Sequence, residues 1–385
     1  MPQPSMVQRS VDAIIPGKKP GLVGDKLSRG SRPARRRATR RRVHLLHYDA
    51  VREQLREGRP HLLLGNGWSI ACDKIFSYSS LYEAALAEGL SDRAQAVFER
   101  LGTNNFEGVM RLLDDTHWVA RTYGLVEGYD SGMREDVEVV KRALVNAIGR
   151  SHLDHTGEVS DGRKDAAFEF LSPYHSIFYT NYDLILYWVN MHKGDPPPYQ
   201  DGFRPPEDDP EAPYLVFSER LGDRRGIFYL HGALHLYVGG GELRKHSWIR
   251  TGVRLTDQVR EGLEERKYPL FVAEGSSDKK LEQIRRNGYL SYCYDKLGRV
   301  TNRLVIFGHS LGETDRHILD AIANNTEFRE VYVGIFSDPE SASSRRIRAA
   351  GNYLLQRRAR INERLRSPRP LEVHFYDSRT ARPWG

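Results

Sequence analysis

The sequence predicts an α/β fold: a Rossmann-like, mostly parallel sheet with helices on both faces and a helical insertion after the first strand. Two observations predict it. Short apolar runs of strand length alternate with longer segments of helical period, as in strands joined by helical crossovers. Four of those runs end in glycine-rich or polar turns, "GNGWS", "TNYD", "HGALH" and "GHS". Open parallel sheets bind ligands beyond the carboxyl ends of their strands.

The elements follow in order. "HLLLGNGWS" (61–69) is an apolar strand running into a glycine turn. A helical region of about 81–150 comes next; in its last helix Val137, Val140, Leu144 and Ile148 share one face and Gly149 reads as a C-cap. "HSIFYTNYD" (175–183) is a strand leading into a short helix through Trp188. Residues 193–213 form a Pro-rich loop too polar to be core. "GIFYLHG" (226–232) and "PLFVAEG" (269–275) read as strands, then a helix from Asp278 to about Leu297. "RLVIFG" (303–308), its helix, "REVYVGIF" (329–336), a long basic helix and "LEVHFYD" (371–377) complete the chain. No internal repeat is visible.

Charged residues make up 28% and apolar ones 39% of the 385, a globular composition. No apolar run approaches the ~20 residues that span a bilayer, and no apolar stretch follows the basic N-terminus as in a secretory signal. With only two cysteines, Cys72 and Cys293, a four-thiolate zinc site is excluded and a reducing, cytoplasmic setting is expected. The net charge of +7 is unevenly placed. Residues 1–42 hold twelve Lys or Arg against two acids, a balance of +10, which leaves −3 for the rest. The expected organisation is therefore a basic, disordered arm over 1–43 and one domain over 44–385. The arm reads as a solvated tail or a nucleic-acid tether, and no aromatic residues interleave its arginines as stacking platforms would.

The four turns supply the candidate site residues. Gly65, Asn66 and Gly67 would let backbone approach a phosphate, with Ser69 adding a hydroxyl. The turn lacks the third glycine of the dinucleotide fingerprint, because position 70 is Ile. Asn181 is a neutral amide suited to a centre where positive charge develops; Asp183 either joins it or caps the following helix. His231 before Gly232 is a candidate general base. The scattered histidines show no zinc signature, so no metal is expected. Gly308 and Ser310 lie in a G-x-S-x-G pattern, the letters of a nucleophile elbow. A serine hydrolase would then need Asp338 and His374 as partners, but His374 alternates within a strand. Ser310 and Glu313 also spell a capping box, which explains the serine without nucleophilic chemistry.

Taken together and in order, "GNGWS", "YTNYD", "LHG" and "FGHS" resemble the sirtuin-like superfamily over roughly 60–340. The stretches "GNGWSIACDKIFSYSSLYEAA", "FVAEGSSDKKLEQI" and "GHSLGETDRHIL" further resemble a bacterial branch known mainly as a domain of unknown function, related to NAD hydrolases and abortive-infection proteins of phage defence. The resemblance implies that Gly65, Gly67 and Ser69 cradle the NAD pyrophosphate. It places Asn181 and Asp183 at the nicotinamide ribose, makes His231 the general base, and gives Gly308 and Ser310 the adenosine ribose. Two features depart from sirtuins: the zinc module is missing, and Asn66 and Trp68 stand where smaller residues are usual. NAD cleavage by water is therefore expected over peptide deacylation, with a non-catalytic NAD or ADP-ribose sensor as the alternative. Effectors of this kind wait for a trigger, so an activating partner or a homo-oligomer belongs to the expectation. Glu274 is a further candidate wall of the site, and Phe76 and Tyr78 are candidates to close over nicotinamide.

Overall fold

The computed structural model describes residues 45–385, apart from 126–129, 219, 266 and 274; for Tyr78, Glu107, Asp130 and Ser131 only the backbone is described. The basic arm, Glu274 and the Tyr78 side chain therefore lie outside the described residues. The strands along the chain are β1 (His61–Leu64), β2 (Ser176–Tyr179), β3 (Phe203–Arg204), β4 (Tyr214–Phe217), β5 (Gly226–Tyr229) and β6 (Gly232–Gly239). They continue as β7 (Glu242–His246), β8 (Pro269–Phe271), β9 (Asn302–Phe307), β10 (Phe328–Ile335) and β11 (Glu372–Asp377). The fold class is α/β, as the alternation of runs predicts.

Six strands form an all-parallel sheet in the order β11-β10-β9-β1-β2-β5. Numbered by their succession along the chain, they read 6-5-4-1-2-3, the strand order of dinucleotide-binding doubly wound sheets. β1, β2 and β5 are buried at every residue, which is why they read as unbroken apolar runs rather than alternating ones.

The remaining strands form a second, antiparallel sheet, β3-β4-β7-β6-β8, which the sequence reading did not anticipate. The chain passes from one sheet to the other at Leu230-His231, between β5 and β6. Gly232 makes the corner: its φ is +87°, and a Cβ there would stand 2.0 Å from the Leu270 carbonyl oxygen. "PLFVAEG" accordingly shrinks to three strand residues, and these pair with β6 instead of joining the parallel sheet. The Pro-rich segment 193–213 is not wholly surface either, because Tyr199 and Phe203 are buried and Phe203 belongs to β3 of this sheet.

The helices before the second sheet are α1 (Tyr48–Gln54), α2 (Gly67–Cys72), α3 (Tyr78–Ala87), α4 (Asp92–Leu101), α5 (Phe106–Thr122), α6 (Asp130–Ser151), α7 (Asp161–Leu171) and α8 (Ile185–Met191). After them come α9 (Trp248–Thr251), α10 (Leu255–Glu264), α11 (Ser277–Arg286), α12 (Gly288–Leu297), α13 (Arg316–Asn324) and α14 (Ala342–Asn362). α3 to α6 are the expected insertion between β1 and β2. Gly149 lies inside α6 rather than capping it, and a Cβ there would meet Leu263 at 2.9 Å. The single helix expected from Asp278 is two, α11 and α12, with Asn287 at the junction capping the second through Tyr289 and Leu290.

The capping box at Ser310 is not formed. α13 starts at Arg316, and the Ser277 hydroxyl accepts the His317 amide at 2.7 Å. Glu313 instead reaches Arg111 of α5 at 3.2 Å, while Lys279 of α11 meets Asp114 of α5 at 2.7 Å. Both pairs tie the insertion to the parallel-sheet side, and both are at the surface. Replacing Glu313 with Gln should therefore change unfolding free energy by no more than about 1 kcal/mol in a urea titration, the range of an exposed ion pair. A larger loss would mean that Glu313 has the capping role after all.

Candidate functional site

In a 6-5-4-1-2-3 sheet, the crossovers leave β1 in opposite directions on its two sides, and a crevice opens between β1 and β9. A cavity of about 710 Å³ lies there, bordered by all four turns: Asn66 and Gly67, Asn181 and Asp183, His231, and Gly308 and Ser310. Leu81, Phe106, Leu144 and Ile148 of the insertion and Phe76 give it an apolar roof. Gly65 and Ser69 do not border it.

The glycines of the first and fourth turns serve each other. A Cβ on Gly65 would stand 2.6 Å from His309 Cα, and one on Gly67 would stand 2.7 Å from Gly308 Cα. The Gly65 amide donates to Phe307 O at 2.9 Å and the Gly67 amide to Gly308 O at 2.8 Å. These two amides, offered to a pyrophosphate by the sequence reading, are thus spent on joining β1 to β9. Asn66 closes the turn by donating its Nδ2 to the Phe76 carbonyl at 2.9 Å. Trp68 is fully buried against Trp384, whose indole donates to the Trp68 carbonyl at 3.0 Å. Its bulk fills the core behind the turn.

Asn181 and Asp183 meet Ser69 in a buried network. Ser69 Oγ donates to Asp183 Oδ2 at 2.7 Å, and Asn181 Nδ2 donates to Ser69 Oγ at 2.7 Å and to the Gly65 carbonyl at 3.2 Å. Both amide hydrogens of Asn181 are thereby used. Its Oδ1 keeps no protein partner among the described residues, on a side chain that borders the cavity. The other Asp183 oxygen accepts the Ile185 amide at the start of α8 and the Tyr179 hydroxyl at 2.7 Å. Burial and the Asp183 carboxylate push the Tyr179 phenol well above its ordinary value, so it remains a donor. Asp183 is therefore both cap and orienter.

His231 is only 3% exposed, and its Nε2 lies 3.1 Å from Nε2 of His317. Around the pair stand residues that the sequence reading missed. Lys280, fully buried on α11, donates to Asp315 Oδ1 at 2.9 Å. Asp315 Oδ2 lies 3.5 Å from His309 Nε2, and the Leu311 amide donates to His309 Nδ1 at 2.9 Å. Burial first, then the Lys280 charge, pushes His231 well below the ordinary imidazole value. Burial likewise lowers His309, and lowers His317 to about 4. Burial alone would raise Asp315, but Lys280, His309 and His231 outweigh it and hold the carboxyl well below its usual range. Among the described residues the cluster thus sets the Lys280–Asp315 ion pair beside three histidines whose charged forms burial disfavours.

Among the described residues, His231, Asp315 and His317 are the group able to bring three metal-ligand atoms together, within 4.8 Å of one another. Asp315 already carries the Lys280 ammonium there, and an entering cation would face that charge. Ser310 borders the cavity, and no histidine is bonded to its hydroxyl among the described residues. His374, its partner in a hydrolase reading, borders a different surface hollow beside Tyr332 and Glu330. Two further histidines have structural roles: His152 accepts the Leu184 amide before α8, and His155 accepts the Gly157 amide in a short turn.

Residues 62–384 match the family described as a domain of unknown function, DUF4917. The chain belongs to this family. The match runs from β1 to the penultimate residue, so the four turns, the insertion and the second sheet all lie within the family's domain. A search of curated proteins finds no match.

Proposed function

We propose that this chain is a sirtuin-like NAD glycohydrolase. The observation that supports it best is the joining of Asn181, Asp183 and His231 at the cavity between β1 and β9, in the strand order of dinucleotide-binding sheets. In the reaction, the bond between the nicotinamide nitrogen and ribose C1′ breaks, its electron pair leaves with neutral nicotinamide, and C1′ becomes oxocarbenium-like. Water adds to C1′ and loses one proton, giving ADP-ribose. Asn181 Oδ1 supplies a fixed dipole for the developing positive charge. His231 stands beside the ribose as proton acceptor. The apolar roof excludes bulk water and suits the uncharged leaving group. By resemblance, we place the activity in the cytoplasm as a triggered effector of phage defence, working without zinc.

Purified protein given NAD should release nicotinamide and ADP-ribose. Asn181→Ala and His231→Ala should each lower turnover by roughly 10²–10³-fold, the range for removing a preorganised dipole or a general base. Turnover that survives both substitutions would remove this mechanism. A second reading, a nucleotide-binding sensor without chemistry, is favoured by the internal use of the Ser69 hydroxyl and the Gly65 and Gly67 amides. It predicts a thermal shift with NAD or ADP-ribose and no nicotinamide release under any trigger.

A further inference from the structure

We propose that His317 positions His231 by fixing its tautomer, so that the atom His231 offers to the cavity is a protonated Nδ1. The inference deepens the glycohydrolase reading and rests on it for its catalytic meaning. Two neutral imidazoles joined through their Nε2 atoms must be complementary: one carries its proton at Nε2 and the other does not. At 3.1 Å the two rings are so joined, and neither tautomer can change without the other.

Ser277 decides which ring donates. Its Oγ accepts the His317 backbone amide at 2.7 Å and lies 3.1 Å from Nδ1 of the same histidine. The hydroxyl has one proton, and among the described residues that proton finds no other acceptor within hydrogen-bond distance. It therefore donates to Nδ1 of His317. The His317 proton is then at Nε2 and donates to Nε2 of His231, whose own proton is left at Nδ1. That Nδ1 has no protein partner among the described residues, and the ring borders the cavity. The remaining neighbours hold the arrangement in place. His309, Asp315 and Lys280 form the ion-paired set beside it, and the Tyr294 hydroxyl of α12 donates to the His317 carbonyl at 2.8 Å.

In this state His231 meets its ligand as a hydrogen-bond donor to an oxygen, such as a ribose hydroxyl. It becomes a proton acceptor only when the chain reverses, with His231 Nε2–H donating to His317 and His317 Nδ1–H donating to Ser277, a state that costs the Ser277 hydroxyl its one protein acceptor among the described residues and so forms only transiently. A proton then taken at Nδ1 of His231 sends the Nε2 proton across to His317. One proton enters the pair, and its charge rests on two rings within 4.8 Å of the Asp315 carboxylate. His317 touches no ligand in this scheme and acts through His231.

The test is ¹⁵N spectroscopy of protein labelled in histidine, with the His231 signals identified by their loss in His231→Ala. Wild type should show neutral His231 as the Nδ1–H tautomer at pH 7.5. His317→Ala and Ser277→Ala should each release that bias toward Nε2–H. His317→Gln, whose amide can still donate from the same reach, should restore it. Nicotinamide release should fall at least about tenfold in His317→Ala, as for loss of an orienting partner, and recover in His317→Gln. An Nε2–H tautomer in wild type, or a tautomer indifferent to both alanine variants, would overturn the proposal. If wild type releases no nicotinamide under any trigger, the glycohydrolase reading fails while the spectra still decide the tautomer. Should His317→Ala not fold, Ser277→Ala and His317→Gln decide it.

Discussion

Gly308→Ala should destabilise the protein by about 3 kcal/mol or more in urea unfolding, or prevent folding altogether. Two effects combine at this position. The φ of Gly308 is +69°, which costs an L-residue roughly 1–2 kcal/mol. The added Cβ would also stand 2.7 Å from Trp68 N and 2.9 Å from Gly67 Cα. Those are backbone atoms of the facing turn and cannot swing aside as a side chain could, so overpacking adds about 1–3 kcal/mol. Gly89→Ala separates the two effects. Gly89 has φ +86°, and nothing lies within 4 Å of the Cβ it would gain, so it should show the backbone strain alone. Equal losses for the two variants would show that close approach of the turns is not what demands Gly308. Because Gly67 and Gly308 border the cavity, any Gly308→Ala protein that folds should also have a displaced site wall.

This junction shows how much of the site was legible. Apolar runs ending in polar turns located the crevice because both signals are local: burial on two faces sets the run, and the end of a strand sets the turn. The reason for the glycines was not local. Gly65, Gly67 and Gly308 look like a phosphate loop and a nucleophile elbow when each turn is taken alone, and only pairing of β1 with β9 shows them interlocked. Ser310 and Glu313 misled in the same way. Their spacing satisfies a capping box, but Glu313 finds Arg111 from the insertion, and the serine that receives the α13 amide is Ser277. The antiparallel sheet was hidden because β3 and β8 have two and three residues, too short for any period to register.

The histidine cluster was half visible. His309, Asp315 and His317 all stand in "GHSLGETDRHIL", a density of polar groups just after an apolar strand that deserved a site assignment. Lys280 could not be found that way. In "SSDKKLEQI" it looks like one of many surface lysines, and nothing nearby signals that it is fully buried. Its burial follows from the Asp315 carboxylate 35 residues on, which makes desolvation of the ammonium tolerable.

Stability should fall steeply between pH 6.5 and 4, and buried histidines are the cause. Burial lowers His61 to about 3, His246 to about 4 and His317 to about 4. His152, His231, His235 and His309 are lowered as well, again through burial. A histidine whose folded value is lowered is neutral in both states above ~6.5 and contributes no pH dependence there. Below that, the unfolded chain takes up a proton that the folded chain refuses, so stability declines until the folded value is reached. The window of Asp315 is separate. A depressed carboxylate gives its full stabilisation above ~3.9 and loses it only at lower pH. The decline from 6.5 to 4 therefore belongs to the histidines. Each contributes about 1.4 kcal/mol per pH unit, so the three with assigned values alone make it roughly 4 kcal/mol per unit. Over the roughly 2.5 units down to pH 4 that amounts to at most about 10 kcal/mol, enough to unfold a protein in the lower half of the ~5–15 kcal/mol range. Urea titrations at pH 7.5, 6 and 5 measure the slope directly, and a line that stays flat below 6.5 would contradict this account. His61→Leu should reduce the slope by about one proton, because its Nδ1 is buried without a partner and leucine fills the same apolar space without titrating.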